Sequence, residues 1–390
     1  MAKKGNRNNV KALFIVNDFP PIIGGQSVYY YNLCRGLPAE SIIVLAHCSL
    51  GYKKFDANQQ FKIIRRPYLV PIPVVEKLFK IVLPFFYAIP ILLREDIRYI
   101  NCAHVLSTGI VGLLLKVVTG KEYVLYTHSA DIMEYQKYPL IKMLLLIVLR
   151  HAYKVVANSE YTKARLLDLG VEEQKIIKIN PMIDFDRFSR DVDTSDIIQR
   201  YGLKGRRIIL SVNRLVERKG NDIVIKALTL IKENIPDVLY IIMGDGPYKK
   251  RLETITIEEG VKNNVIFISS VKDDDDIVKL YNVCDVFVML SRELKEKGDA
   301  EGFGIVFLEA NSAGKPVVGG NSGGIADAVV HGLTGLLVDP LDIKKIADAI
   351  TLLLTDTEYA KRLGMEGRRR VEQEFDYKCG VRGLDFLFED

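Results

Sequence analysis

Two carboxylates, Glu301 and Glu309, bracket the glycine-bearing stretch EGFGIVFLE. With a helix opening at Gly302–Gly304, Glu301 lies just outside it and Glu309 about two turns in. They cannot act as general acid and base on a single turn, so they should have distinct tasks. The N–H groups of Phe303, Gly304 and Ile305 at the helix start can face a phosphate. Glu309 sits within an apolar run that should be buried, where a carboxylate needs partners, and ribose hydroxyls would supply them. The structural alternative makes Glu301 an acid favoured by the helix dipole and Glu309 a helix-surface residue.

Further candidates follow other strand-like runs. In SVNRLVERKG, Arg214 and Lys219 lie just beyond a buried strand, where a guanidinium and an ammonium can clamp a diphosphate; Arg218 reads as solvent-facing. Gly24 and Gly25 precede a helix beginning near Gln26 or Ser27, and adjacent glycines let backbone N–H groups approach an anion. No GxGxxG is present, which disfavours a nicotinamide or flavin cofactor. His128 follows the run EYVLY in a chain with only five histidines, a position suited to function. The acidic run at 273–276 reads as a solvated loop capping the next helix rather than a metal site.

These residues must be positioned by something, and the pattern around them alternates apolar strand-like runs with longer helical ones. ALFIVND, IIVLAH, RYINCAH, EYVLYTHS and KVVANS form one series; RIILSVNRL, VLYIIMGDG, NVIFISSV, CDVFVML and PVVGG form a second. The expected fold class is α/β, with two Rossmann-like doubly wound parallel sheets facing a cleft. Residues 1–186 form the first domain and 187–370 the second; 371–390 read as a C-terminal helix crossing back to the first domain. A charged, turn-rich stretch, INPMIDFDRFSRDVDTSDIIQRYGLKGR, lies at the junction.

At 390 residues and 48% hydrophobic content, the chain can bury cores of this size. The five dispersed cysteines lack ligand spacing, which fits a reducing cytosol without structural zinc. The basic N-terminus lacks a secretory cleavage pattern. A net charge of +5 without a recognition motif argues against nucleic acid. Residues 68–94 and 138–154 are apolar with basic punctuation. Pro71, Pro73, Pro84 and Pro90 interrupt the first segment, and the second is too short to span a bilayer. They read either as helices packed on a sheet or as a peripheral membrane contact.

Taken together, the GG loop at Gly24–Gly25, THSADI at 127–132, ANSEYTK at 157–163, NRLVERKG, MGDGP at 243–247 and EGFGIVFLE resemble the retaining glycosyltransferases of family four, with the GT-B fold. The resemblance covers nearly the whole chain. It implies that Glu301 binds donor-sugar hydroxyls near the reacting centre and Glu309 the ribose. Arg214 and Lys219 hold the diphosphate and stabilise the leaving group, without a metal. Gly24 and Gly25 join the donor site, the backbone near Val271 contacts the base, His128 lies beside the donor sugar, and Asp18 falls on the acceptor side.

The stretch RELKEKGDAEGFGIVFLEA is similar to that of bacterial mannosyltransferases acting on phosphatidylinositol. This implies GDP-mannose as donor and a lipid-linked or glycan acceptor, with action in the cytoplasm, peripheral on the inner face of the membrane. A UDP-hexose donor with a soluble or polysaccharide acceptor is the alternative. From other classes, a nucleotide-sugar epimerase and a catalytically silent nucleotide-sugar-binding protein stay open.

Overall fold

A computed structural model of the protein describes residues 11–22, 24–68, 73–189, 191–269 and 274–388. The first sheet contains β1 (Lys11–Val16), β2 (Ile42–His47), β3 (Lys62–Arg66), β4 (Ile97–Cys102), β5 (Glu122–Thr127), β6 (Lys154–Ala157) and β7 (Ile176–Lys178). Its order is β3-β2-β1-β4-β5-β6-β7, and its pairings are parallel. Residues Ala12–Val16 are all buried because helices cover both faces of such a sheet, which is why this strand reads as an unbroken apolar run.

The second sheet contains β8 (Arg207–Val212), β9 (Val238–Met243), β10 (Val265–Ile268), β11 (Val286–Met289), β12 (Val317–Gly320) and β13 (Leu336–Val338), in the order β10-β9-β8-β11-β12-β13. All its pairings are parallel too. The doubly wound α/β architecture expected from the alternation is therefore present in both halves. Strand order reverses between β1 and β4 in one sheet and between β8 and β11 in the other. At such a switch point the connections depart to opposite faces, leaving a crevice beyond the carboxyl ends of the strands.

The two compact units are Met1–Met182 with Tyr377–Asp390, and Ile183–Asp376. The helix expected over 371–390 does not form. The helix Thr357–Arg370 runs on as a π turn, Val371–Phe375, followed among the described residues only by short 3-10 turns at Tyr377–Cys379 and Asp385–Leu387. Gly380 and Gly383, at φ 76° and 89°, turn the chain out of helical geometry. The segment docks on the first unit, with the Arg35 guanidinium 3.7 Å from the centre of the Tyr377 ring.

Pro84 and Pro90 do not break the apolar segment as expected; a helix runs from Pro73 to Arg94 with both prolines inside. Burial of Ala88, Ile91 and Leu92 in the first unit's core outweighs the lost backbone hydrogen bonds. No helix among the described residues is long and apolar enough to cross a membrane.

Candidate active site

The loop after β8 is held by close backbone approaches. Leu215 N–H donates to Asp245 O at 2.9 Å, and Tyr248 N–H donates to Leu215 O at 3.0 Å. A Cβ on Gly246 would stand 2.3 Å from Leu215 O, and one on Gly220, at φ 73°, would stand 2.2 Å from Leu290 O. The glycines of MGDGP and ERKG thus bring the β8 loop against the ends of β9 and β11. This brings Lys219 to Met289, its Nζ 3.6 Å from Sδ, and to Glu301.

Glu301 is the electrostatic centre of this region. Its Oε2 accepts from Arg218 Nη1 at 2.7 Å, from Ser291 Oγ at 3.0 Å and from Lys219 Nζ. Burial pushes the Glu301 carboxyl up, but the charges of Lys219 and Arg218 outweigh it and hold the group at about 2. Burial pulls Lys219 below its ordinary value, against the attraction of Glu301. Glu301 is therefore ionised at neutral pH.

The solvent-facing reading of Arg218 is wrong: its side chain is 16% exposed and also pairs with Asp299 Oδ1 at 2.8 Å. The carboxylates of the DAEG stretch draw it inward. Arg292 chelates Asp222 at 2.9 and 3.0 Å and Lys297 pairs with Glu217 at 2.7 Å, tying the 292–299 loop to the start of the helix Asn221–Asn234. Arg214, in contrast, is exposed. Sequence reasoning missed Arg218, Ser291 and Asp299. The signals available were a second cation beside Lys219, a serine ending the FVML run and an acid two residues before Glu301.

The helix following Glu301 is Ile305–Ser312, with Gly304 as its N-cap at φ 96°. Glu309 is thus just over one turn in, rather than two, and it is buried rather than on the helix surface. Its Oε2 accepts from Tyr281 Oη at 2.6 Å. Burial raises its pKa, while the Tyr281 bond and the Arg187 charge oppose the rise. The N–H groups of Gly304 and Ile305 fall in the first turn, where no intrahelical acceptor exists, and Phe303 is buried against Phe375. Behind Glu301, Gly324 N–H donates to its carbonyl at 2.8 Å, and Gly323, at φ 59°, leaves no room for a Cβ.

Val271 lies outside the described residues. Asp274–Asp276 form the first turn of the helix Asp274–Val283 instead of a solvated loop, and Asp276 is buried because it pairs with Arg200 at 2.8 Å.

In the first unit, Gly24 caps the helix Gly25–Arg35, and neither Gly24 nor Gly25 has an atom within 4 Å of where a Cβ would stand. Asp18 is exposed beyond β1. His128 caps the short helix Ser129–Met133 and is fully engaged. Tyr30 Oη donates to Ala103 O, leaving its oxygen to accept from His128 Nε2 at 2.9 Å. Asn158, whose Oδ1 accepts from Thr162, donates through Nδ2 to His128 Nδ1 at 3.2 Å. This network assigns a neutral Nε2–H tautomer. Burial lowers the His128 pKa, Asp131 opposes it and His104 adds to it.

The family described as Glycosyl transferases group 1 matches residues 193–370, and Glycosyltransferase Family 4 matches residues 23–187. Over 383 residues the chain is 30% identical to the GDP-mannose-dependent alpha-(1-6)-phosphatidylinositol monomannoside mannosyltransferase of Mycolicibacterium smegmatis, covering 96% of this chain and 97% of that protein. The chain belongs to the family 4 glycosyltransferases. This glycosyltransferase is also 27% identical, over 94% of its length and 95% of the relative's, to the GDP-mannose-dependent monoacylated alpha-(1-6)-phosphatidylinositol monomannoside mannosyltransferase of Corynebacterium glutamicum.

Its fold is that of the HepE protein of Anabaena in complex with UDP, at TM-score 0.78 and 21% identity, covering 94% of this chain and 96% of that one. Sucrose-phosphate synthase from Thermosynechococcus elongatus shares it too, at TM-score 0.77 and 22% identity, with 97% and 96% covered. The second sheet and its loops therefore belong to a GT-B glycosyltransferase, and the ion-paired Glu301 is the first carboxylate of its EGFGIVFLE element.

Proposed function

We propose that this glycosyltransferase moves mannose from GDP-mannose to a hydroxyl of a phosphatidylinositol-based lipid, with retention at the anomeric carbon. The observation that carries the reading is the 30% identity to a GDP-mannose-dependent mannosyltransferase across 96% of the chain. The site chemistry suits it. A sugar–phosphate bond breaks with negative charge building on the leaving diphosphate, and a cationic pair ending a buried strand loop is suited to meet that charge.

In this reading Lys219 and Arg214 bind the diphosphate, and Arg218 adds charge beside them. Phe303, Gly304 and Ile305 present backbone N–H groups to it. Glu301, ionised, accepts hydrogen bonds from the mannose hydroxyls, and Glu309 accepts from the ribose. The base falls to the backbone near Val271. His128, Gly24, Gly25 and Asp18 of the first unit are assigned by the family resemblance, the first three to the donor and Asp18 to the acceptor side. The neutral, doubly bonded His128 ring then serves to orient rather than to shuttle a proton.

The bond from the anomeric carbon to the diphosphate oxygen breaks as the acceptor oxygen bonds to the same face of that carbon. The acceptor's proton passes to the departing phosphate oxygen, which leaves nucleoside diphosphate and glycoside as products. No carboxylate is glycosylated in this route. A lipid acceptor places the enzyme at the inner face of the cytoplasmic membrane.

A thermal-shift screen of nucleoside diphosphate sugars, followed by transfer assays on phosphatidylinositol mannoside extracts, tests this. GDP-mannose should give the largest stabilisation and transfer to lipid. Stabilisation by UDP-hexoses alone, or nucleotide release that does not depend on lipid, would overturn it.

A further inference from the structure

We infer that Tyr281 is a positioning residue for the donor's nucleoside half, acting through Glu309. This rests on the reading of Glu309 as the ribose-binding carboxylate. Tyr281 lies on the helix Asp274–Val283 and is fully buried, and its hydroxyl donates to Glu309 Oε2 at 2.6 Å. The 2.6 Å bond from the phenol to a carboxylate oxygen is short, and here it is sheltered from competing water. With Oε2 held, the carboxylate cannot turn freely about its last torsion, so Oε1 keeps one direction. Glu309 keeps 9% of its surface exposed, so the residue is not wholly sealed in the core.

The phenol is itself held by rings. Phe188 meets it edge-on at 5.7 Å between centroids and 86°, and Phe287 lies against it at 5.8 Å. Phe307, from the helix that carries Glu309, meets Phe287 edge-on at 5.6 Å. Aromatic pairs at such separations favour edge-to-face or offset arrangements, so the neighbouring rings bias the orientation of the phenol. The helix bearing Glu309 and the helix bearing Tyr281 are therefore referenced to one another through rings as well as through the hydrogen bond. A carboxylate meant to accept from two vicinal hydroxyls needs this definition, because a small error in its plane loses one of the two bonds.

The test uses whichever nucleoside diphosphate stabilises the protein best, and its 2′,3′-dideoxy analogue, titrated by calorimetry onto wild type and Tyr281→Phe. The expected result is about tenfold weaker binding of the ribo form to the variant, the scale of one bond to a charged acceptor. Binding of the dideoxy form should stay within about twofold of wild type, as should kcat at saturating donor. Equal weakening of both forms would make Tyr281 merely structural and overturn the inference. Wild type that does not distinguish the two forms would instead overturn the ribose reading of Glu309. Phe188→Leu loosens the ring without touching either oxygen and covers the outcome in which Tyr281→Phe does not fold. It should narrow the ribo-to-dideoxy ratio, and an unchanged ratio there also counts against the inference.

Discussion

Arg218 Nη1 stands 2.7 Å from Glu301 Oε2, the same carboxylate oxygen that takes Lys219. One oxygen thus carries two cations, and Arg218 is anchored from its other side by Asp299 at 2.8 Å. If Lys219 turns to a diphosphate, Glu301 still has Arg218 and Ser291 to hold it.

Arg218→Ala should therefore lower turnover by about tenfold to a hundredfold, the range for losing a charge-assisted hydrogen bond at a reacting centre. Arg218→Lys keeps the charge but not the fork, so it should recover part of the loss. Release of nucleoside diphosphate under saturating donor measures both. Turnover of the alanine variant within twofold of wild type would remove Arg218 from the machinery.

The two acidic residues should respond to Gln substitution with opposite signs. Glu301 is held at about 2, below the usual 4.5, so its ionised form stabilises the fold above pH 4.5, and that contribution is lost as pH falls through 2. Glu301→Gln should lower Tm at pH 7, with the gap to wild type closing between those values. The Glu309 carboxyl is raised by burial, so ionisation at neutral pH costs stability and protonation at low pH relieves it. Glu309→Gln can still accept from Tyr281 and should raise Tm at pH 7 by about 2–4 °C, the shift expected for ~1 kcal/mol in a unit of this size. Calorimetric scans across the pH series decide it, and a fall in Tm for both variants at pH 7 would contradict the assignment.

What could be read in the sequence follows from range. β8 and β11 were legible because RIILSV and CDVFVML are apolar runs that parallel sheets require, and the separate placing of Glu301 and Glu309 needed only a local helix start. Arg218 was illegible because its burial depends on Asp299, far along the chain, and a cation in ERKG has no local mark of an inward course. Tyr281 was missed for the same reason, since its partner sits on another helix. Pro84 and Pro90 misled because their local cost was outweighed by tertiary burial. Gly380 and Gly383 are the local signal against a terminal helix, since both take positive φ.

Gly323 supplies a test of backbone positioning. Its φ is 59°, and a Cβ there would stand 2.4 Å from Glu301 O, so alanine must displace the turn that also carries the Gly324 N–H bond to that carbonyl. Gly323→Ala should cost about 1–3 kcal/mol of stability and reduce turnover at least tenfold while nucleoside diphosphate still binds. Equal loss of turnover and of nucleotide binding would mean that the damage is general rather than confined to Glu301.

A lipid acceptor also requires a surface that meets a membrane, and the first unit offers apolar side chains beside basic ones. On the helix Pro73–Arg94, Leu78, Phe86 and Leu93 are exposed with Lys77 and Arg94; on the helix Pro139–His151, Leu140, Ile141 and Met143 are exposed with Lys142. Apolar insertion and attraction to anionic headgroups act together on such faces, and each basic residue near the surface contributes ~1 kcal/mol. Reversing Lys77, Lys80 and Arg94 to Glu should lower co-flotation with phosphatidylinositol-containing vesicles by at least about a hundredfold in partition constant at physiological salt. Lys80 is paired with Glu76 at 2.6 Å, so Lys77 and Arg94 should carry most of the effect. High salt should weaken wild type toward the variant, because screening removes the headgroup attraction and leaves the apolar part. Flotation unchanged by the reversal would eliminate this basic contact and move the test to the exposed apolar side chains of both helices, Leu78, Phe86, Leu93, Leu140, Ile141 and Met143, by serine substitution.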